Sequence, residues 1–218
     1  MPIHSWFPTS IYITELQPSL KVQDNMINYV ERFYEKNRYT NKDSNLTGDV
    51  HGDYKIFQKS TFSWLNKQIS IHIEKYLDDL GVDTNNIIIY ASKAWPTVVS
   101  RGGNVSRHKH KNSILSAVFY LKTGDEESGK LNFYSSHSEM DFLPVPIKKG
   151  HGNNHTVGHY MATPNRLVIF PSTLEHEVGT YTGEEIRCSV SYDIMITSVK
   201  NDSSEFTISH PSEWKELC

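Results

Sequence analysis

Residues Arg166–Ile194 read "RLVIFPSTLEHEVGTYTGEEIRCSVSYDI". An apolar run ends at Phe170-Pro171, a short turn follows, and His176 comes next between Glu175 and Glu177. A second run then opens at Arg187. In it Arg187, Ser189, Ser191 and Asp193 alternate with Cys188, Val190, Tyr192 and Ile194. A period of two is the signature of a strand, whose side chains point to opposite faces in turn. Two short strands with no helix between them argue for antiparallel pairing in a sandwich or barrel, not for a βαβ unit. The polar stripe suits either an exposed edge strand or the lining of a wet pocket. Both readings stay open; in a pocket the arginine would suit a carboxylate, because a planar guanidinium offers parallel donors and a serine adds one more.

The same texture extends upstream. "IIIYAS", "AWPTVVS", "SILSAVFYL" and "KLNFY" are short runs rich in β-branched and aromatic residues, separated by Gly, Pro and polar clusters. Before Asn85 the pattern is helical. Val22, Met26, Val30 and Phe33 recur at spacings of three and four, and Phe62, Leu65, Ile69, Ile73, Tyr76 and Leu80 form a second stripe. Ser60 or Thr61 is placed to cap that helix and Gly81 to end it, with His72 beside the stripe in a structural role. The polar stretch between the helices reads as a loop. These features predict a mostly β chain with N-terminal helices. It is a single domain over 1–218, with a helical flank over about 1–84, a β core over about 85–198 and a peripheral tail over 199–218. One turn of helix is expected at Pro211.

At 218 residues with 37% hydrophobic residues, the chain can bury one sizeable core and is too apolar to be disordered. A net charge of -3 and the lack of a long basic run disfavour nucleic acid as a partner. Cys188 and Cys218 do not stand in a metal-binding C-x-x-C spacing, a usage that suits a reducing cytoplasm. The N-terminus lacks a basic segment followed by an apolar one, and no apolar run approaches the roughly 20 residues of a membrane span. The expectation is a cytoplasmic chain without a membrane partner.

A second stretch carries histidines: "RHKHKNSILSAVFYL", Arg107–Leu121. If one strand includes them, His108 and His110 present two imidazoles on one face, together with Ser116, Val118 and Tyr120. Leu115, Ala117, Phe119 and Leu121 then pack the other face, unless a loop at "KNS" breaks the parity. Two neutral imidazoles suit Fe, Zn, Cu or Ni. Alone, the pair is half of a metal site or two surface histidines in a polar loop.

Taken in order, H-x-H, an apolar strand, G-x-L-x-F, a strand ending in F-P-S, His and R-x-S resemble the 2-oxoglutarate- and Fe(II)-dependent oxygenases. The chain is most similar to a subfamily that begins with W/L-F-P-T-x-I-Y, here "WFPTSIY" at Trp6–Tyr12. "GKLNF" from Gly129, "FPSTLEHEV" from Phe170 and "EIRCSVSYD" from Glu185 belong to the same resemblance, which covers Trp6 to about Ile194.

The resemblance implies a double-stranded β-helix, a jelly-roll barrel flanked by helices. It implies Fe(II) held by His108, His110 and His176, with His110 standing where the family usually carries Asp or Glu. A carboxylate there cuts the charge of the Fe(II) site to about +1, whereas a third neutral imidazole leaves about +2. An alternative register makes His110 the first ligand and puts Asn112 in the carboxylate position. Arg187 and Ser189 are implied to bind the far carboxylate of 2-oxoglutarate, with Tyr120 reaching the same group. The implied reaction hydroxylates a C–H bond of a peptide or small molecule with O2, releasing succinate and CO2. Two other readings stay open, a catalytically inactive jelly-roll binding module and a three-histidine dioxygenase that does not use 2-oxoglutarate. The strand edges of a jelly roll leave a homodimer open as well. His151, His155 and His159 fall in a segment, about 135–164, that reads as an insertion over the pocket mouth.

Overall fold

In the computed structural model of the chain, the residues described are 8–39, 45–125, 127–135, 155–201 and 208–217. The fold is mostly β. Its strands are β1 (Tyr12–Glu15), β2 (Asn45–Thr47), β3 (Ile87–Val99), β4 (Val105–His108), β5 (Leu115–Lys122), β6 (Leu131–Tyr134), β7 (Val157–Tyr160), β8 (Arg166–Pro171), β9 (His176–Val178) and β10 (Arg187–Ser198). They form a six-stranded sheet, β1-β8-β5-β10-β3-β2, and a four-stranded sheet, β4-β9-β6-β7. Pairing between these strands is antiparallel throughout. No helix among the described residues is long and apolar enough to cross a membrane.

Two helices, α1 (Leu20–Asn37) and α2 (Ser63–Asp79), cover the outer face of the large sheet. Met26, Val30 and Phe33 of α1 and Leu65, Ile69, Ile73 and Tyr76 of α2 are buried there with Leu115, Ala117, Phe119 and Leu121 of β5. Cys188, Val190, Tyr192 and Ile194 of β10 join them. The alternation read in both strands therefore sorts their faces correctly. Helix α2 differs in two details. Leu77 is buried and Leu80 is half exposed, because the helix has ended at Leu80. No side chain caps its start, since a 3-10 turn at Ser60–Phe62 leads into it. Gly81, at φ +77°, does end the helix: its N–H donates to Asp78 O and that of Val82 to Leu77 O, the paired closure that a left-handed residue permits. His72 is structural, its Nδ1 2.8 Å from the Tyr12 hydroxyl.

The two runs read as separate, "IIIYAS" and "AWPTVVS", are one strand, β3, that runs through Pro96. Pro96 has no N–H to give, yet the ladder to β10 loses nothing. The N–H of Ala94 donates to Tyr54 O, away from β10, and the carbonyl of Pro96 points the same way and accepts from Gly48 N–H. The missing donor thus faces the sheet's outer side. The polar stretch between the helices is not all loop, because it contributes β2, whose Leu46 is buried. The expected turn at Pro211 is a 3-10 turn, Pro211–Glu213. Most of the segment read as an insertion lies outside the described residues, but its end forms β7, an edge strand of the small sheet.

Candidate metal centre

A cavity of about 400 Å3 opens between the sheets, lined from the large one by Arg187, Ser189, Ser191 and Asp193 and from the small one by His108 and His176. The polar stripe of β10 is thus a pocket lining, not an edge: β10 lies between β5 and β3. His108 and His110 do not share a strand. His108 ends β4 in the small sheet, and the chain then crosses to the large sheet, where β5 begins at Leu115. The single-strand parity fails at that crossing, but the rings still meet. His110 is tied to the large sheet by its N–H, which donates to Ser172 O just beyond β8. His176 opens β9 directly opposite His108 in the ladder.

The three imidazoles converge so that one donor atom of each lies within 4.8 Å of the others. Each ring commits its Nδ1–H elsewhere. That of His108 donates to Ser106 O at 2.7 Å and that of His176 to Leu174 O at 2.9 Å, while His110 pairs with Asp193 Oδ1. The tautomer follows: the proton sits on Nδ1, and each Nε2 presents a lone pair. His108 and His110 bring these atoms to 3.3 Å. Two acceptor lone pairs that close repel each other unless a cation lies between them, so the arrangement fits a metal ion. Desolvation favours the neutral form that binds metal, lowering His108 and holding His176 down to about 3. Trp95 stacks on His110 with centroids 5.7 Å apart, and the edge-on Phe170 ring lies 4.8 Å from His176, which leaves the rings little room to turn.

Deeper in the cavity Arg187 is 1% exposed, and its Nε and Nη1 have no hydrogen-bond partner among the described residues. Its guanidinium stands 4.9 Å from the centre of the Tyr120 ring, whose hydroxyl is also buried without a partner. Burial raises the Tyr120 pKa, against the opposing pull of the Arg187 charge. A buried, unpaired guanidinium costs several kcal/mol, and a carboxylate reaching it removes that cost. Ser189, 2% exposed, lines the same cavity. Gly129 belongs to this support. At φ +61° it takes a conformation that disfavours side chains, and a Cβ there would come within 3.3 Å of Arg187 Cδ and 3.0 Å of Tyr181 Cδ2.

The six site residues that the resemblance implies all line this cavity: His108, His110, His176, Arg187, Ser189 and Tyr120. The alternative register leaves out His108, which is one of the three converging rings. The sequence reading missed the roles of Asp193, Ser113, Ser172 and Trp95. Asp193 was visible as the last member of the polar alternation, but nothing in the sequence tied it to His110.

Residues 93–193 match the family model described as "Putative 2OG-Fe(II) oxygenase". Over that stretch, a little under half of the chain, the protein is similar to the 2OG-Fe(II) oxygenase family. Solved oxygenases share its fold, the double-stranded β-helix, at low identity. A prolyl hydroxylase from Trichoplax adhaerens, in complex with a peptide fragment of the hypoxia inducible factor oxygen degradation domain, is 14% identical at TM-score 0.55. The match covers 85% of this chain and 83% of that one. The epimerase SnoN, in complex with Fe3+, alpha ketoglutarate and nogalamycin RO, is 11% identical at TM-score 0.54, over 95% of this chain and 88% of its own. HygX from Streptomyces hygroscopicus, with nickel and 2-oxoglutarate bound, is 9% identical at TM-score 0.53, over 86% and 82%. No curated protein sequence matches the chain. The cofactors of the oxygenase family, Fe(II) and 2-oxoglutarate, fit what the cavity offers: three imidazole lone pairs and a buried cation without a counter-charge.

Proposed function

We propose that His108, His110 and His176 hold Fe(II) through Nε2, that Arg187 binds the distal carboxylate of 2-oxoglutarate with help from Ser189 and Tyr120, and that the chain acts as one domain hydroxylating a C–H bond of a peptide or small molecule. The observation that carries this reading is the set of three Nδ1 hydrogen bonds, which leaves three Nε2 lone pairs facing one point. Bound together, Fe(II) and 2-oxoglutarate supply the oxidising power: one oxygen atom of O2 enters succinate as CO2 leaves, and the other enters the substrate C–H bond as a hydroxyl.

The protein's part is position, electrostatics and exclusion of water. Arg187 fixes one end of the cosubstrate by a charge-assisted, two-pronged contact in a dry site, where such a contact is strongest. Tyr120 is placed to donate to the same carboxylate, because its hydroxyl is otherwise unsatisfied. His108 and His176 stay neutral and ready for metal because burial disfavours their charged form. A cosubstrate-free three-histidine dioxygenase leaves Arg187 without a purpose, since among the described residues nothing pairs with its buried Nε and Nη1.

The test is an anaerobic titration of metal-free protein with Fe(II) and then 2-oxoglutarate, followed by absorbance. The expected result is a visible charge-transfer band that needs both components and disappears in Arg187→Ala. Iron binding without a band would remove 2-oxoglutarate from the reading and favour the cosubstrate-free dioxygenase. No iron binding would leave a jelly-roll binding module.

A further inference from the structure

The family's usual carboxylate is absent from position 110, yet a carboxylate stands behind the ring that replaces it. Asp193 is 7% exposed, inside the cavity, and its Oδ1 accepts the Nδ1–H of His110. Among the described residues the other group near the carboxylate is a hydroxyl: Ser113 Oγ lies 3.4 Å from Oδ1. Ser113 Oγ also lies 2.9 Å from Ser172 Oγ, and Ser172 Oγ lies 2.9 Å from Ser116 Oγ. The hydroxyls thus link β5, the end of β8 and β10 beneath the His110 ring. Among the described residues no lysine or arginine forms an ion pair with Asp193. A buried carboxylate with no cation is costly. Its geometry addresses the far side of the imidazole, where the three rings converge.

Resting on the proposed three-histidine site, we infer that Asp193 is a positioning residue that supplies the iron with the negative charge the middle ligand position has lost. Three neutral imidazoles leave Fe(II) at a net charge of about +2, and Asp193 behind His110 returns the assembly to about +1, the value of a facial triad with its own carboxylate. A carboxylate bonded to the outer nitrogen of a metal-bound imidazole fixes the ring's orientation and makes its inner nitrogen a better donor. His110 is therefore a replacement, not a loss: the carboxylate has moved one imidazole away from the metal, onto β10. The same strand carries Arg187, so one rigid element holds both the charge behind the metal and the proposed clamp on the cosubstrate.

The experiment compares metal-free wild type with Asp193→Asn, using Co(II) as the probe and its visible bands as the readout. Asparagine keeps the shape and an oxygen that accepts the Nδ1–H, and loses only the charge. The expected result is Co(II) affinity weakened about 10–100-fold with the metal-free melting temperature unchanged. With Fe(II) and 2-oxoglutarate under anaerobic conditions, the variant's charge-transfer band should move to higher energy, because the iron holds its electrons more tightly. Should Asp193→Asn fail to fold, Asp193→Ser takes its place, with room for a water at Nδ1–H. Equal Co(II) affinity and an unmoved band would overturn the role of Asp193 and leave the three-histidine site intact. If wild type binds no Co(II) while remaining folded, the site itself fails, and this inference fails with it.

Discussion

In the six-stranded sheet β3 runs for 13 residues and β10 for 12, and its outer face lies under α1 and α2. In the four-stranded sheet β4, β6 and β7 are four residues long and β9 is three. Two of the three converging imidazoles come from the short strands, whereas Arg187, Ser189 and Asp193 come from the long one. The contrast separates two tasks. A long strand at the centre of a helix-backed sheet places its pocket residues through core packing and its ladders to both neighbours. Strands of three and four residues bury too little to do so, and their histidines are held by local hydrogen bonds and stacked rings.

The sharpest way to break the comparison is to remove one imidazole. His176→Ala should abolish metal binding, a larger effect than the about 10–100-fold expected for an outer partner such as Asp193. Its metal-free melt should move far less than its metal affinity, because the core under the helices is untouched. Isothermal titration and a melt in chelator read the two quantities separately. Phe119→Ala should give the reverse. It opens a cavity beside Trp64 and the α2 stripe, costs about 3–5 kcal/mol of stability, and leaves the metal affinity of the folded protein near wild type. Denaturant unfolding and metal titration of the same sample check this.

The smallest expected effect is a pH dependence confined to the histidine side. The His176 pKa is held at about 3 by burial, below its value of about 6.5 in the unfolded chain. Between those values the unfolded state binds the proton first, so stability falls as pH falls from about 6.5 towards 3. At pH 5 this one group should remove about 2 kcal/mol from the metal-free protein, at 1.36 kcal/mol per pH unit. Bound metal should blunt the loss, and His176→Gln should flatten it. Unfolding midpoints at pH 7 and pH 5, with and without metal, test the sign.

Much of this was legible in the sequence because strand alternation is a local code. The alternation from Arg187 to Ile194 sorts pocket from core residue by residue, and so does that from Leu115 to Leu121. The sequence misled where a long-range pairing overrules a local signal. Pro96 looks like a break until the outer side of β3 receives its missing donor, and Leu46 sits in a polar stretch that earns its strand only by pairing with β3. Three of the missed elements, β1, β7 and β9, have three or four residues each and exist through their partners. Within the site, the individual residues were readable and their connections were not. That His110 leaves the strand of His108 and rests on Asp193 is a fact about two sheets meeting.

That meeting has a consequence for how the molecule comes apart. His108 and His176 ride on the small sheet, and His110 is fastened to the large one through Ser172 and Asp193. An ion held by all three is a rivet through the barrel wall, and drawing it out frees one side of the seam. Chelation should therefore raise amide hydrogen exchange first in β4 and β9, with β5 and β10 following only as the whole molecule unfolds. Iron supply would then govern how long the folded chain survives proteases, quite apart from whether any substrate is turned over.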